Sequence, residues 1–216
     1  MFASSWKTAR PDAYRGLELS YRARFYLGLG LDSLRALVSV PLVCDGSPAA
    51  SSGASPRAEL RFTVGGHAAL LCYGRPSARG RRVFGDLVPY GHLWRLGANE
   101  PTVLHLPFSA TIGGVRVRRG KLALYAVPER ESWTIVLNRS TRQWGLTRDE
   151  RGADGRLYHN AYTSPVQRAE LGRFVVPTSA VPHVEQLTAR AEPMDERRTH
   201  IAFEWETTRA CISVGV

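Results

Sequence analysis

From Ala58 onward, the sequence predicts an all-β fold, an antiparallel β-sandwich of about ten strands. Apolar and polar residues alternate with a period of two in several short runs, which is the pattern of strands with one buried face. Turn sequences rich in glycine and proline separate the runs, and no alternation of strands with helices indicates a parallel sheet. A single sheet of this kind would expose an apolar face to water, so two packed sheets are expected.

Ten segments fit this pattern. The clearest runs are 58–64, 132–137 and 200–206, in which Phe62, Ile135 and Phe203 lie on the apolar side. The other candidate strands are Ala68–Tyr73, Thr102–Phe108, Val115–Arg118, Leu122–Val127, Glu170–Val176, Val184–Ala191 and Ala210–Val214. The stretch from Ser140 to Ser164 lacks the alternation and contains three glycines, so it is predicted to be an irregular surface loop.

Residues 1–57 are predicted to be an extension outside this domain. Two arginines, an apolar stretch from Phe25 to Cys44 and a small-residue end follow the layout of a secretory signal. Asp32 and Arg35 interrupt the apolar part, so a short helix over Ser33–Val40 or a start codon placed too far upstream are alternatives. The stretch is too short and too charged for a transmembrane helix. Gly46–Pro56 is predicted to be a flexible linker, and the layout slightly favours a location outside the cytoplasm.

The charge of the chain raises the question of nucleic-acid binding. The 216 residues carry a formal charge of +10, and lysine occurs only at Lys7 and Lys121, so nearly every basic residue is arginine. A basic face would suit nucleic acid or another acidic polymer. The basic residues are dispersed, with no block of five like charges, so a compositional bias towards arginine is the preferred explanation and nucleic acid is not the expected partner.

Three cysteines occur, which is too few for a disulfide framework or a cysteine-based zinc site. Cys72 and Cys211 both lie in strand patterns and are the favoured pair if any two are bonded. The preferred alternative is that the cysteines are small buried apolar side chains.

Four stretches of sequence form a pattern whose order and spacing are specific. They are Y-G-R-P-S at 73–77 with G-R at 80–81 and F-G at 84–85; L-V-P-Y-G at 87–91 with L-W-R-L-G-A-N-E at 93–100; A-T-I-G-G at 110–114 with L-Y-A-V-P at 124–128, W-T-I at 133–135 and Q-W-G at 143–145; and E-W-E-T-T-R at 204–209. Together they closely resemble a bacterial family of domains of unknown function, number 2911, over about residues 55–216. The resemblance implies a compact β-rich domain that is often exported, and it implies no established activity, substrate or cofactor.

The residues of the first two motif stretches, 73–85 and 87–100, suggest a candidate ligand site. An arginine side chain offers five donors in a planar fork that suits a carboxylate or a phosphate. Aromatic and amide groups close by in sequence could complete a polar pocket for a sugar or an anionic small molecule. The candidate ligand-binding residues are Arg75, Arg81, Tyr90, Trp94, Arg95, Asn99 and Glu100. The alternative is structural: Arg75 and Arg95 would satisfy loop carbonyls and pair with Glu100 or Glu204.

Other kinds of site have weaker support. The histidines lack the spacing of a zinc-protease helix, and no G-x-S-x-G elbow or phosphate-binding glycine loop is present, so no metal, cofactor or nucleophile is predicted. Glu100 with Glu204 or Glu206 are the candidates for paired-carboxylate hydrolysis. Trp94 and Trp144 lie beside loops and are either exposed stacking platforms or, preferably, hydrophobic plugs.

The preferred function is therefore a non-enzymatic structural or ligand-binding module. A hydrolase that uses loop carboxylates is the first alternative, and a nucleic-acid binder with a basic surface is the second.

Overall fold

The computed structural model describes residues 42–45, 54–141, 148–151, 157–160 and 167–216. The predicted export signal, the alternative helix over Ser33–Val40 and most of the predicted linker lie outside these residues, as does Trp144. Within the described part of the chain, no helix is long and apolar enough to cross a membrane.

Strands form the framework of the described chain. Their bounds are β1 Arg57–Val64, β2 His67–Gly74, β3 Thr102–Leu106, β4 Ala110–Ile112, β5 Val115–Val117, β6 Gly120–Pro128, β7 Ser132–Asn138, β8 Arg148–Arg151, β9 Leu157–Asn160, β10 Glu170–Pro193 and β11 Arg198–Gly215. Nine of them form one sheet in the order β1-β2-β3-β6-β7-β10-β11-β4-β5, and β8 pairs with β9. Every ladder between neighbours is antiparallel, so the prediction of an antiparallel all-β fold is confirmed.

Two long strands, β10 and β11, each join segments that the sequence pattern had separated. The first part of β10 pairs with β7, from Glu170 to Pro177, and the remainder pairs with β11. The register of β10 against β11 shifts between Ala180 and Val184 and again between Val184 and Thr188. A proline has no amide to donate to the neighbouring strand, and a bulge inserts an extra residue without ending the strand. The alternation of apolar and polar residues is therefore interrupted while the strand continues.

Two strand pairings were not predicted. The three residues of β4 lie between β11 and β5, too few to show a period of two. The hairpin of β8 and β9 lies inside the stretch 140–164 that was predicted to be irregular throughout, so that prediction is wrong for these eight residues. Their sequences, R-D-E-R and L-Y-H-N, lack an apolar face, which is why alternation could not identify them.

One apolar cluster forms most of the core and draws on strands from both ends of the strand order. Val64 from β1, Leu71 from β2 and Ile135 from β7 belong to the same cluster as Phe203 and Ile212 from β11. The Oγ1 hydroxyl of Thr199 donates to the carbonyl of Thr63 over 2.7 Å and so links β11 to β1. The core therefore unites strands that are far apart in the hydrogen-bonded order.

A disulfide joins Cys44 to Cys72, and Cys211 is the free cysteine. The preferred prediction of unbonded cysteines is therefore wrong for Cys44 and Cys72, and Cys72–Cys211, the pair favoured if any two were bonded, is wrong as well. The physical reason is the strand order: β2 neighbours β1 and β3, whereas Cys211 lies on β11 between β10 and β4. Leu71 and Tyr73 point into the main core and Cys72 does not, so its sulfur is on the outer face, where the segment 42–45 reaches it.

Candidate functional site

The connection from β2 to β3, residues 75–101, is tied by backbone hydrogen bonds to two places in the sheet. The amide of Ala78 donates to the carbonyl of Glu185 over 2.8 Å, and Leu187 donates to the carbonyl of Pro76 over 3.0 Å. Further along, Trp94 and Ala126 exchange two bonds of 2.7 and 2.8 Å. A loop of this length needs partners for its backbone groups where it is buried, and β10 and β6 supply them.

Arg75 reaches the part of β10 where the register shifts. Its Nε donates to the carbonyl of Leu187 and its Nη2 to the hydroxyl of Thr188, each over 3.0 Å. Gln186 returns a bond of 3.3 Å from its side-chain amide to the carbonyl of Arg75. The guanidinium is thus engaged with protein groups on β10 on two of its nitrogens.

The Arg81 side chain stabilises the turn that precedes it. Its Nε donates to the carbonyl of Ala78 and its Nη2 to the carbonyl of Ser77, each over 2.9 Å, while the residue as a whole is exposed. A neighbouring anchor comes from Arg79, whose amide donates over 2.8 Å to the Glu185 carboxylate. That bond, followed by a hydrogen bond from His183, lowers the pKa of Glu185 below its usual value.

Glu206 holds the next part of the connection. One of its carboxylate oxygens accepts the amides of Val83 over 3.0 Å and Phe84 over 3.4 Å. Glu206 has a φ of 53°, a left-handed conformation that is uncommon for a residue with a side chain, in the middle of β11. The sequence analysis considered this residue only as a hydrolytic acid. The apolar residues that precede it, Phe203 and Trp205, gave no signal that its carboxylate anchors a loop.

Trp94 lies in an aromatic cluster. Its ring stacks on Trp205, with centroids 5.8 Å apart and planes at 25°, and meets Trp133 edge to face at 5.7 Å. Phe84 completes the cluster, and the indole Nε1 of Trp94 donates to the carbonyl of Gly97 over 2.9 Å. The ring and the polar atom of the indole therefore have protein partners, as expected for a hydrophobic plug.

Tyr90 also packs against the main core, and the guanidinium carbon of Arg130 lies 5.4 Å from the centroid of its ring. This distance is within the range of a cation–π contact. Gly85 allows the ring to come close, because a Cβ at this position would lie 2.7 Å from a carbon of Tyr90.

The end of the connection, residues 95–100, brings three of the predicted residues together. Arg95 donates to the carbonyl of Asn99, and burial lowers the pKa of its guanidinium, partly opposed by Tyr125. Asn99 is exposed, and its side-chain amide donates to the carbonyl of Ser55 over 3.3 Å. The carboxylate of Glu100 lies 3.2 Å from Arg57 of β1.

The predicted pairing of Arg75 or Arg95 with Glu100 or Glu204 is wrong. Glu100 pairs with Arg57, and Glu204 pairs with Arg190 over 3.1 Å and Arg209 over 2.7 Å. The physical reason is the register of β10 against β11. The cross-strand partner of Glu204 is Thr188, and Arg190 lies two residues further along β10, on the same face of the sheet. Arg190 of β10 and Arg209 of β11 therefore supply its partners.

Two of the predicted ligand residues share a recess. Asn99 and Glu100 border a small recess of about 10 Å³, which has room for about one water. The other lining residues are Ser55, Arg57, Cys72, Tyr73, Gly74, Ala98 and Pro101. Arg75 and Arg81 make their contacts elsewhere, and Trp94 lies in the aromatic cluster.

The candidate acids for hydrolysis are engaged as well. Glu100 and Glu204 pair with arginines, and Glu206 accepts backbone amides. Across the described ranges, no group of three or more histidine, cysteine or acidic side chains is placed to hold a metal ion.

The family model for the protein of unknown function DUF2911 matches residues 55–214. This match confirms the resemblance drawn from the sequence motifs and spans β1 to β11. Searches of the curated proteins and of the solved structures found no match to this chain.

Proposed function

This chain belongs to the DUF2911 family, and from that premise we propose that it is an exported, non-enzymatic β-module. In this proposal the family motif at 73–100 serves mainly to build the fold. In this proposal a small ligand would contact the surface around Asn99, Glu100 and Arg57.

The donor groups of the motif arginines carry the proposal. Arg75, Arg81 and Arg95 each donate to a carbonyl of this chain. A guanidinium with its donors committed in this way is less able to bind a carboxylate or phosphate from solution, because a protein bond must be broken for each ligand bond formed. The engaged carboxylates disfavour the hydrolase alternative in the same manner.

The test compares Arg75→Ala with Arg82→Ala, a matched control whose exposed side chain has no partner among the described residues. Loss of the bonds from Arg75 should lower the free energy of unfolding by about 2 kcal/mol, measured in urea. Binding is followed by NMR with glucose, N-acetylglucosamine, glucuronate and inorganic phosphate. The proposal fails if Arg75→Ala keeps the stability of the unsubstituted protein but loses a ligand that the control still binds.

Export is supported by the Cys44–Cys72 disulfide. Disulfides persist in oxidising compartments and are rare where glutathione and thioredoxin keep thiols reduced. Since Cys44 is bonded to Cys72, its sulfur is not free to carry a lipid. In cells that make the protein, Cys44 and Cys72 should resist alkylation until a reductant is added; their alkylation without reductant would contradict export.

A further inference from the structure

Three adjacent strands at the end of the sheet place an arginine, a threonine and a glycine in one row. Thr111 of β4 is the register partner of Arg116 of β5 on one side and of Gly215 of β11 on the other. Arg116 and Thr111 are both exposed, and the glycine adds no side chain to the row. Side chains opposite one another in a sheet point to the same face, so the row leaves space beside Arg116.

That space is a recess of about 180 Å³. Its lining residues are Ser109, Ala110, Thr111, Arg116, Val117, Gly215 and Val216. It contains hydroxyls, one guanidinium and apolar groups, and none of these side chains is acidic. Since one water occupies about 30 Å³ of liquid, the recess has the size of a small organic molecule.

The guanidinium of Arg116 has no carboxylate or hydrogen-bond partner in the part of the chain that the structure describes, in contrast to Arg75, Arg81 and Arg95. The exposed Arg118 and Arg119 follow it in sequence, and they too are without such partners among the described residues. Their charges add to the positive potential at this edge, which favours an anion.

We propose that this recess binds a small oxyanion, a carboxylate or phosphate group attached to a short apolar body. The planar fork of Arg116 takes the oxyanion with two parallel bonds. The hydroxyls of Thr111 and Ser109 are within the same lining, and Val216 provides an apolar surface for the remainder of the ligand. Ala110 and Val117 border the recess, but their side chains belong to the core on the other face of the strands. The site lies away from the motif at 73–100, although Ala110 and Thr111 belong to the A-T-I-G-G stretch at 110–114.

The alternative reading is that Arg116 protects an edge strand. Because β5 is the last strand of the sheet, charged side chains on it would discourage pairing with another molecule. Edge protection needs charge only and requires neither the recess nor Thr111. The two readings therefore differ in what a substitution at Thr111 does.

The experiment is an NMR titration of the full chain with butyrate, butyl phosphate, inorganic phosphate and, as the uncharged probe, butanol. We expect saturable shifts confined to residues 109–117 and 215–216 with the butyl anions, weaker binding of inorganic phosphate and none of butanol. Butyrate and butyl phosphate in separate arms distinguish the two sources of the oxyanion.

Arg116→Gln should weaken binding about tenfold or more, the effect expected for a charged hydrogen bond. Thr111→Leu should abolish binding by filling the recess while it keeps the charge. Arg82→Gln, which removes the same charge from another exposed position, should change nothing. Absence of saturable shifts, or equal weakening by Arg116→Gln and Arg82→Gln, would overturn the proposal, and unchanged binding by Thr111→Leu would show that charge alone attracts the anions.

Discussion

Removing the Cys44–Cys72 disulfide should destabilise the domain by an amount that depends on the number of residues between the two cysteines. The two cysteines are 28 residues apart, and the bond closes a loop of that length in the unfolded chain. The loop-closure relation gives about 3.5 kcal/mol at 25 °C for such a loop. For a domain of this size that corresponds to a fall in Tm of about 10 °C.

The perturbation is the double substitution Cys44→Ser with Cys72→Ser, and the matched control is Cys211→Ser, which removes a free thiol and leaves the bond intact. Unfolding is followed in urea and by heating, with and without reductant. The unsubstituted protein and the control should both lose stability on reduction, and the double variant should not respond to reductant.

A thiol count provides an independent check on the pairing. Unfolded without reductant, the protein should expose one thiol, that of Cys211, and reduction should raise the count to three. A count of three before reduction, or equal stability of the double variant and the control, would refute the reasoning.

Two further predictions concern single polar side chains. Glu206→Gln weakens the acceptor for two backbone amides and should cost about 1–2 kcal/mol of unfolding free energy in urea, whereas Glu131→Gln on the surface should cost little; equal costs would contradict an anchoring role. His105 is 8% exposed, and burial, with Lys121 as the second cause, lowers its pKa. The unfolded chain therefore takes up the proton first, and stability should fall as pH drops below about 6.5, by at most about 1.4 kcal/mol per pH unit. His105→Gln should remove that part of the slope in pH-dependent urea unfolding, and an unchanged slope would show that the imidazole does not contribute.

The sequence was sufficient for the strands that bury one face. In 132–137 and 200–206, alternation marked Ile135 and Phe203 as core residues, and both are fully buried. Alternation works there because the pleat assigns successive side chains to opposite faces. It fails for β4, which is too short, and for β8 and β9, which carry no apolar face.

The contacts of the candidate site were not accessible to the same reasoning. Arg75 donates to the carbonyl of Leu187, which is more than a hundred residues away in the sequence. At that place β10 departs from regular pairing with β11. Periodicity predicts which face of a strand is buried, but it does not predict where two strands lose register. The partner of Cys72 posed the same difficulty, since Cys44 lies outside any periodic segment.

The irregular part of β10 explains why the motif connection is needed there. Residues 185–187 have no register partner on β11, because they fall between the pairs of Val184 and Thr188. Unpaired backbone groups in a partly buried strand are costly. The connection supplies the missing partners: Ala78 donates to Glu185, Pro76 accepts from Leu187, and Arg75 donates to the carbonyl of Leu187.

These contacts with β10 require particular groups in the motif. A proline at 76 has no amide to donate, and its carbonyl is the group that Leu187 needs. Arg75 donates to the carbonyl of Leu187 and to the hydroxyl of Thr188. Since these side chains serve the ladder, variation that alters ligand preference is expected away from them, on surfaces such as β5, where the fold gives the charge of Arg116 no partner among the described residues.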